Sequence, residues 1–342
     1  MRHQPAASAQ RRLAGRFPAV GALSPTLSQV NPAELAARVA SGDRAALARA
    51  ITLLERQPTA AGELDAALAR HGGQGYTVGI TGAPGAGKST LVGALLRESL
   101  AADERVAVLA LDPSSPLTRG AILGDRLRMD HVAGDPRVFV RSMTADAHGG
   151  GLSLLTPLVL RALDAAGWPW LLLETVGVGQ VELDVAEAAA TTVVVLNPGW
   201  GDEIQAAKAG LMEVADIFVL NKCDRPGAEE SQRDLEHLLG QPKPGQWRPP
   251  VVCTRAHEGQ GVPEVWAAIR AHRAHLTANG GLAAWRTRFL GMALKALLVR
   301  ALEERVSKLA RGQAFTAALA AVAAGEQGLH AARDGLLAGL QP

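Results

Sequence analysis

Apolar and polar positions fall into three regimes along the chain. From residue 34 to 71, Leu35, Val39, Leu47, Ile51, Leu54, Leu64 and Leu68 recur at near-helical spacing, broken at Ser41-Gly42-Asp43 and at Pro58. The glycine cluster Gly72-Gly73-Gln74-Gly75 closes this stretch. From Tyr76 the pattern changes to short apolar runs separated by helical segments. The runs are YTVGI (76–80), VAVLAL (106–111), VFVRS (138–142), WLLLE (170–174), TTVVVLN (191–197), IFVLN (217–221) and VVCT (251–254). They are continuous rather than alternating, so both faces of each strand are covered. Seven such strands with intervening helices predict an α/β fold with a doubly wound, mostly parallel sheet. After Gly281 the strand signal stops, and the chain reads as two helices meeting around Gly312. Their apolar stripe needs a surface to bury it, either the chain's own core or a second copy.

This division gives a poorly ordered leader over 1–33, an N-terminal helical appendage over 34–72, a nucleotide-binding domain over 73–278 and a C-terminal helical extension over 279–342. The leader contains no acidic residue but carries Arg2, Arg11, Arg12 and Arg16, a composition that also suits a mitochondrial transit peptide.

Composition narrows the partners. Of 342 residues 48% are hydrophobic, and 35 Lys plus Arg against 33 Asp plus Glu leave a formal net charge of +2. That balance gives no drive towards nucleic acid or a membrane surface. No apolar run approaches the ~20 residues of a membrane span. The two cysteines, Cys223 and Cys253, are distant in the sequence and make neither a disulfide framework nor a cysteine-rich metal site. A cytoplasmic location fits, or the mitochondrial matrix in a eukaryote.

The first strand runs into GITGAPGAGKST, a P-loop with Gly82, Ala83, Pro84, Gly85, Ala86, Gly87, Lys88, Ser89 and Thr90. Glycines let backbone N–H groups curl around phosphates, and the following helix start adds partial positive charge. Lys88 is expected to reach the β- and γ-phosphates and Ser89 to ligate Mg²⁺. The sixth strand ends in Asn221-Lys222-Cys223-Asp224, an N-K-x-D pattern. The Asp224 carboxylate can accept both N1–H and the 2-amino group of guanine, a pairing adenine lacks. Arg255, Ala256 and His257 stand one strand later, where a backbone turn would touch guanine O6; an ordinary loop is the plain alternative. GTP or GDP is therefore the expected nucleotide.

Mg²⁺ favours a few hard oxygens. Asp112 ends the second strand, Asp125 follows in a Gly-Asp turn, and Glu174 ends the fourth strand. All three could converge on the ion directly or through water; Asp125 could instead cap the helix DRLRMDHV. After Glu174, Val178 stands where a water-positioning group is sought, and Val178 has no polar atom to do it. Gln205 and Lys208 share a helix face in GDEIQAAKAG and are candidates to complete the catalytic site. The bland alternative is a solvated helix face.

Taken in order, GAPGAGKST, LDPSSP, ILGDRLRM, ETVGVGQ, PGWGDEIQAAKAG and NKCD closely resemble the MeaB/ArgK GTPases. The resemblance covers about residues 34 to 312. It implies a homodimer that uses Mg²⁺ and GTP and serves an adenosylcobalamin-dependent acyl-CoA mutase as partner. The GTPase would gate delivery of intact B12 cofactor and removal of damaged cofactor, without holding cobalamin stably by itself. Turnover would be slow alone and stimulated by the mutase, through a switch segment containing Gln205 and Lys208. Gly177 and Gly179 would sense the γ-phosphate. The chain departs from the family at Trp200, where a small residue is usual, and His148 in the HGGGLS loop is not a family mark. Two other readings compete. A metal-insertion GTPase would want a His-rich or clustered-Cys tract, and nine scattered His do not supply one. The energising subunit of a basic amino-acid transport system, a label some family members carry, would want ATP and a membrane partner.

Overall fold

The computed structural model describes residues 31–56, 58–113, 134–145, 155–175, 181–199, 211–240 and 245–339. Seven strands form one parallel sheet: β1 (Tyr76–Gly82), β2 (Val106–Pro113), β3 (Val138–Ala145), β4 (Trp170–Thr175), β5 (Thr191–Leu196), β6 (Ile217–Asn221) and β7 (Val251–Thr254). Their spatial order is β3-β2-β4-β1-β5-β6-β7. All seven apolar runs read from the sequence are strands. Strands β1, β4, β5 and β6 are buried along their whole length, as unbroken apolar runs require.

The N-terminal stretch folds as α1 (Pro32–Ala40), α2 (Arg44–Arg56) and α3 (Pro58–Leu68). Asn31 caps α1, its side-chain oxygen accepting from the Ala33 and Glu34 N–H groups. Asp43 does the same for Ala45 and Ala46 at the start of α2. Leu35, Val39, Leu47, Ile51, Leu54, Leu64 and Leu68 are all buried, in the same apolar cluster as the sheet. Arg44 donates to the carbonyls of Asp135 and Val138, and Arg141 of β3 pairs with Glu55 at 2.7 Å. The three helices are thus keyed to the sheet margin.

Helices α4 (Lys88–Ala101), α5 (Thr156–Ala165), α6 (Val181–Ala188), α7 (Leu211–Val214), α8 (Ala228–Leu238) and α9 (Val262–Ala278) belong to the α/β core. The Asp164 carboxylate accepts from the N–H groups of Gly73, Gln74 and Gly75, fixing the chain as it enters β1. At the amino edge of the sheet a polar chain is buried. Tyr76 Oη lies 2.6 Å from Thr191 Oγ1, which lies 2.9 Å from His272 Nδ1, and His272 Nε2 lies 3.4 Å from Asp216. Burial holds the His272 imidazole down at about 4 and pushes Asp216 up to about 6.

The C-terminal region departs from the expectation of two helices. It forms α10 (Gly281–Ala310), α11 (Gln313–Ala323) and α12 (Leu329–Ala338). The second expected helix breaks at Gly325, whose φ of 76° is left-handed. Trp285, Phe289, Ala293 and Ala296 bury one side of α10. Leu290, Leu294, Leu298, Leu302 and Val306 form an exposed row at every fourth position along it.

Candidate nucleotide site

The carboxyl ends of the parallel strands gather the motifs at one sheet edge, where ligands of such sheets bind. β1 delivers the P-loop, β4 delivers Glu174, β6 delivers Asn221 and β7 leads to Arg255. β1 lies between β4 and β5, with Ile80 opposite Glu174 and Gly82 opposite Val195.

Two P-loop glycines are required by packing as well as by φ. Gly82 has φ 133°, and a Cβ there would collide with the Val195 carbonyl. Gly87 has φ 97°, and its Cβ would strike the Asn221 amide. Lys88 opens α4 and is buried; its Nζ donates to the carbonyls of Gly82 at 2.6 Å and Ala83 at 3.0 Å. The ammonium is therefore held inside the loop it would share with phosphates. Next to it, Ser89 Oγ donates to Glu174 Oε1 at 2.5 Å, and Glu174 is only 1% exposed. A buried carboxylate beside a hydroxyl is a hard-oxygen pair of the kind Mg²⁺ prefers, so these residues fit the ion.

The base motif is tied to the phosphate loop. Asn221 Nδ2 donates to the Ala86 carbonyl at 2.8 Å, while its Oδ1 accepts from Thr254 Oγ1 and the Ala256 N–H. Lys222 takes the left-handed φ of 62° and donates from Nζ to the Gly85 carbonyl at 2.6 Å. Asp224 is exposed, and so is the His257 side chain. The Arg255 N–H pairs with the Gln260 carbonyl, shaping the turn that holds Ala256 inside. The Arg255 guanidinium and the His257 ring nitrogen Nε2 both lie near the Glu258 carboxylate, at 3.6 and 3.3 Å.

Thr254 has no place in the motif reading, yet it orients Asn221. The signal lies in its position as the last residue of β7, opposite Asn221 in the strand register. Asp112 lies on β2 just past the pairing of Leu111 with Thr175, so its backbone shares the edge with Glu174. Asp125, Gly177, Val178, Gly179, Gln205 and Lys208 lie outside the described residues.

Comparison with known proteins gives a consistent answer. The family model described as "Methylmalonyl Co-A mutase-associated GTPase MeaB" matches residues 47–311. A Pyrococcus abyssi protein provisionally named a GTPase is 46% identical over 253 residues, 73% of this chain and 78% of its own. The GTPase ArgK of Escherichia coli is 38% identical over 75% of this chain and 80% of its own. The mitochondrial methylmalonic aciduria type A homolog of Mus musculus is 36% identical over 72% of this chain and 64% of its own. Among solved structures, a LAO/AO transport system kinase superposes with a TM-score of 0.63 at 27% identity, covering 94% of this chain and 100% of that one.

Proposed function

The chain belongs to the methylmalonyl-CoA mutase-associated GTPase family, and from that premise we propose that it is the GTP-hydrolysing chaperone of an adenosylcobalamin-dependent acyl-CoA mutase. It gates loading of the B12 cofactor and removal of damaged cofactor. The observation that carries the guanine reading is the Asn221 bridge between the P-loop and the base turn. The mutase partner rests on the family's association.

Phosphoryl transfer asks for positioning and charge neutralisation. Lys88 exchanges its carbonyl partners for β- and γ-phosphate oxygens, and the N–H groups from Gly85 to Thr90 cradle the rest. Ser89, Asp112, Asp125 and Glu174 hold Mg²⁺, directly or through water; the ion supplies charge neutralisation when bound. Asp224 accepts the guanine N1–H and 2-amino group. Lys222 lies along the ring, and the Arg255–Ala256–His257 backbone faces O6. Val178 leaves the water-positioning step to Gln205 and Lys208, brought in when the mutase presses on their segment. Hydrolysis is then slow alone and fast in complex.

The exposed leucine row on α10 supports a homodimer, since a second copy can cover it. The test compares GTP turnover with and without mutase, for wild type and Lys208→Ala. Stimulation confined to wild type is expected; equal stimulation in both removes Lys208 from the mechanism, and none in wild type removes the chaperone reading.

A further inference from the structure

The two cysteines, distant in the sequence, are brought together by adjacent strands. Cys253 lies on β7 opposite Leu220 of β6. Cys223 follows that strand and turns back: its N–H donates to the Thr254 carbonyl at 3.1 Å and its thiol to the Leu220 carbonyl at 3.0 Å. The Cys253 thiol donates to Gln232 Oε1 at 3.0 Å. Both thiols are half-buried, pack against one small apolar cluster around Phe218, Leu220 and Leu235, and are free. Burial pushes the Cys253 thiol up to about 12, with the hydrogen-bonded Cys223 side chain adding to the effect.

Cys223 is also the variable position of N-K-x-D, between the two residues that face guanine. Lys222 before it is held at φ 62°, a backbone shape rare outside glycine, with its ammonium on the Gly85 carbonyl. The loop therefore has little freedom to absorb a displacement of its middle residue.

We propose that Cys223 and Cys253 form a reversible disulfide under oxidation by a peroxide, and that this bond lowers the affinity of the site for guanine nucleotide. The inference rests on the guanine reading of the N-K-x-D loop. In the first step Cys223 gives up its proton and its thiolate attacks a peroxide oxygen; the O–O bond breaks, the departing hydroxide takes up that proton and leaves as water, and Cys223 becomes a sulfenic acid. In the second, the Cys253 sulfur attacks the Cys223 sulfur; the S–O bond breaks and the second water leaves with the Cys253 proton. Two thiols lose two electrons and hydrogen peroxide is reduced to two waters. Burial favours the neutral Cys253 thiol over the thiolate, so Cys223 is the sulfur that meets the peroxide, and Cys253 gives up its proton only as it resolves the sulfenic acid. The S–S bond of about 2.05 Å is far shorter than a thiol–thiol contact. Closing it draws Cys223 off the Leu220 carbonyl and carries Lys222 and Asp224 with it. A disulfide in a thiol-rich compartment is characteristically transient and redox-sensing.

The test treats the full chain with hydrogen peroxide, then counts free thiols and titrates a fluorescent GDP analogue. Oxidised wild type should lose both titratable thiols, run as an uncrosslinked chain on a non-reducing gel, and bind GDP about tenfold or more weakly, the cost of displacing one charge-assisted contact. Dithiothreitol should restore both. Cys253→Ser should bind GDP as reduced wild type does and keep that affinity after oxidation, since Cys223 can still reach the sulfenic acid but finds no sulfur at 253 to close the bond. Two free thiols after oxidation, a crosslink between chains, or an intramolecular disulfide with unchanged affinity each overturns the proposal. Failure of reduced wild type to bind GDP overturns the guanine reading instead, and the thiol count still reports on the disulfide.

Discussion

Ser89 Oγ stands 2.5 Å from Glu174 Oε1, joining the first turn of the P-loop helix to the end of β4. The pair brings a candidate metal hydroxyl and a candidate metal carboxylate together across two adjacent strands, β1 and β4. Glu174→Gln keeps the size and the acceptor oxygen but removes the charge. GDP binding in chelator should be little changed, while its strengthening by added Mg²⁺ should be lost; isothermal titration at stepped Mg²⁺ measures both.

Lys88 is the buried cation of the candidate phosphate loop. Lys88→Ala should lower single-turnover GTP hydrolysis by about 100-fold or more, the scale of removing a preorganised charge partner. Phosphate release measured at saturating nucleotide, with circular dichroism as the folding control, checks it.

Base choice should invert at Asp224. Xanthine carries an oxygen where guanine carries the 2-amino group, so the acceptor must become a donor. Asp224→Asn should weaken GDP and gain affinity for xanthosine diphosphate, read by competition against a fluorescent nucleotide. Loss of both nucleotides to the same degree would show that Asp224 does not face that group.

The buried chain at the amino edge makes a pH prediction. His272 has its imidazole held at about 4 against an ordinary 6.5. Its folded pKa is depressed, so its stability contribution is complete above 6.5 and lost as pH falls towards 4. Asp216 has the opposite sign: raised from 3.8 to about 6, it contributes below 3.8 and loses that contribution as pH rises through 6. The two slopes oppose each other in the wild type. The stability difference between wild type and His272→Asn should therefore climb with pH from about 4 to 6.5 and then level. Its rise should be on the order of 3 kcal/mol, measured by urea unfolding at stepped pH.

The row on α10 is the proposed dimer surface. Leu294 is 60% exposed and Leu298 59%. Leu294→Glu combined with Leu298→Glu should yield a monomer by light scattering while the wild type is a dimer, with GDP affinity retained.

Strands were legible because burial on both faces leaves continuous apolar runs. The large core residues Leu35, Val39, Leu47, Ile51, Leu54, Leu64 and Leu68 were legible because one-sided burial leaves a periodic trace, while Leu53, also buried, falls off that period. The break at Gly325 was not, because a lone glycine is tolerated within a helix and helix-forming residues resume at Leu329. Within the site, Gly82, Lys88, Ser89, Asn221 and Asp224 carried their own motifs. Thr254 did not, since its hydroxyl acts only through Asn221. The nearness of Cys223 and Cys253 was likewise invisible: thirty positions apart, they meet only because β6 and β7 are neighbours.

The Asn221 amide holds the Ala86 carbonyl with one end and the Ala256 N–H with the other. The candidate base loop and the candidate phosphate loop are in this way mechanically joined, so a displacement of one is felt by the other. Replacing Asn221 alone would leave the Ala86 carbonyl and the Ala256 N–H without their common partner.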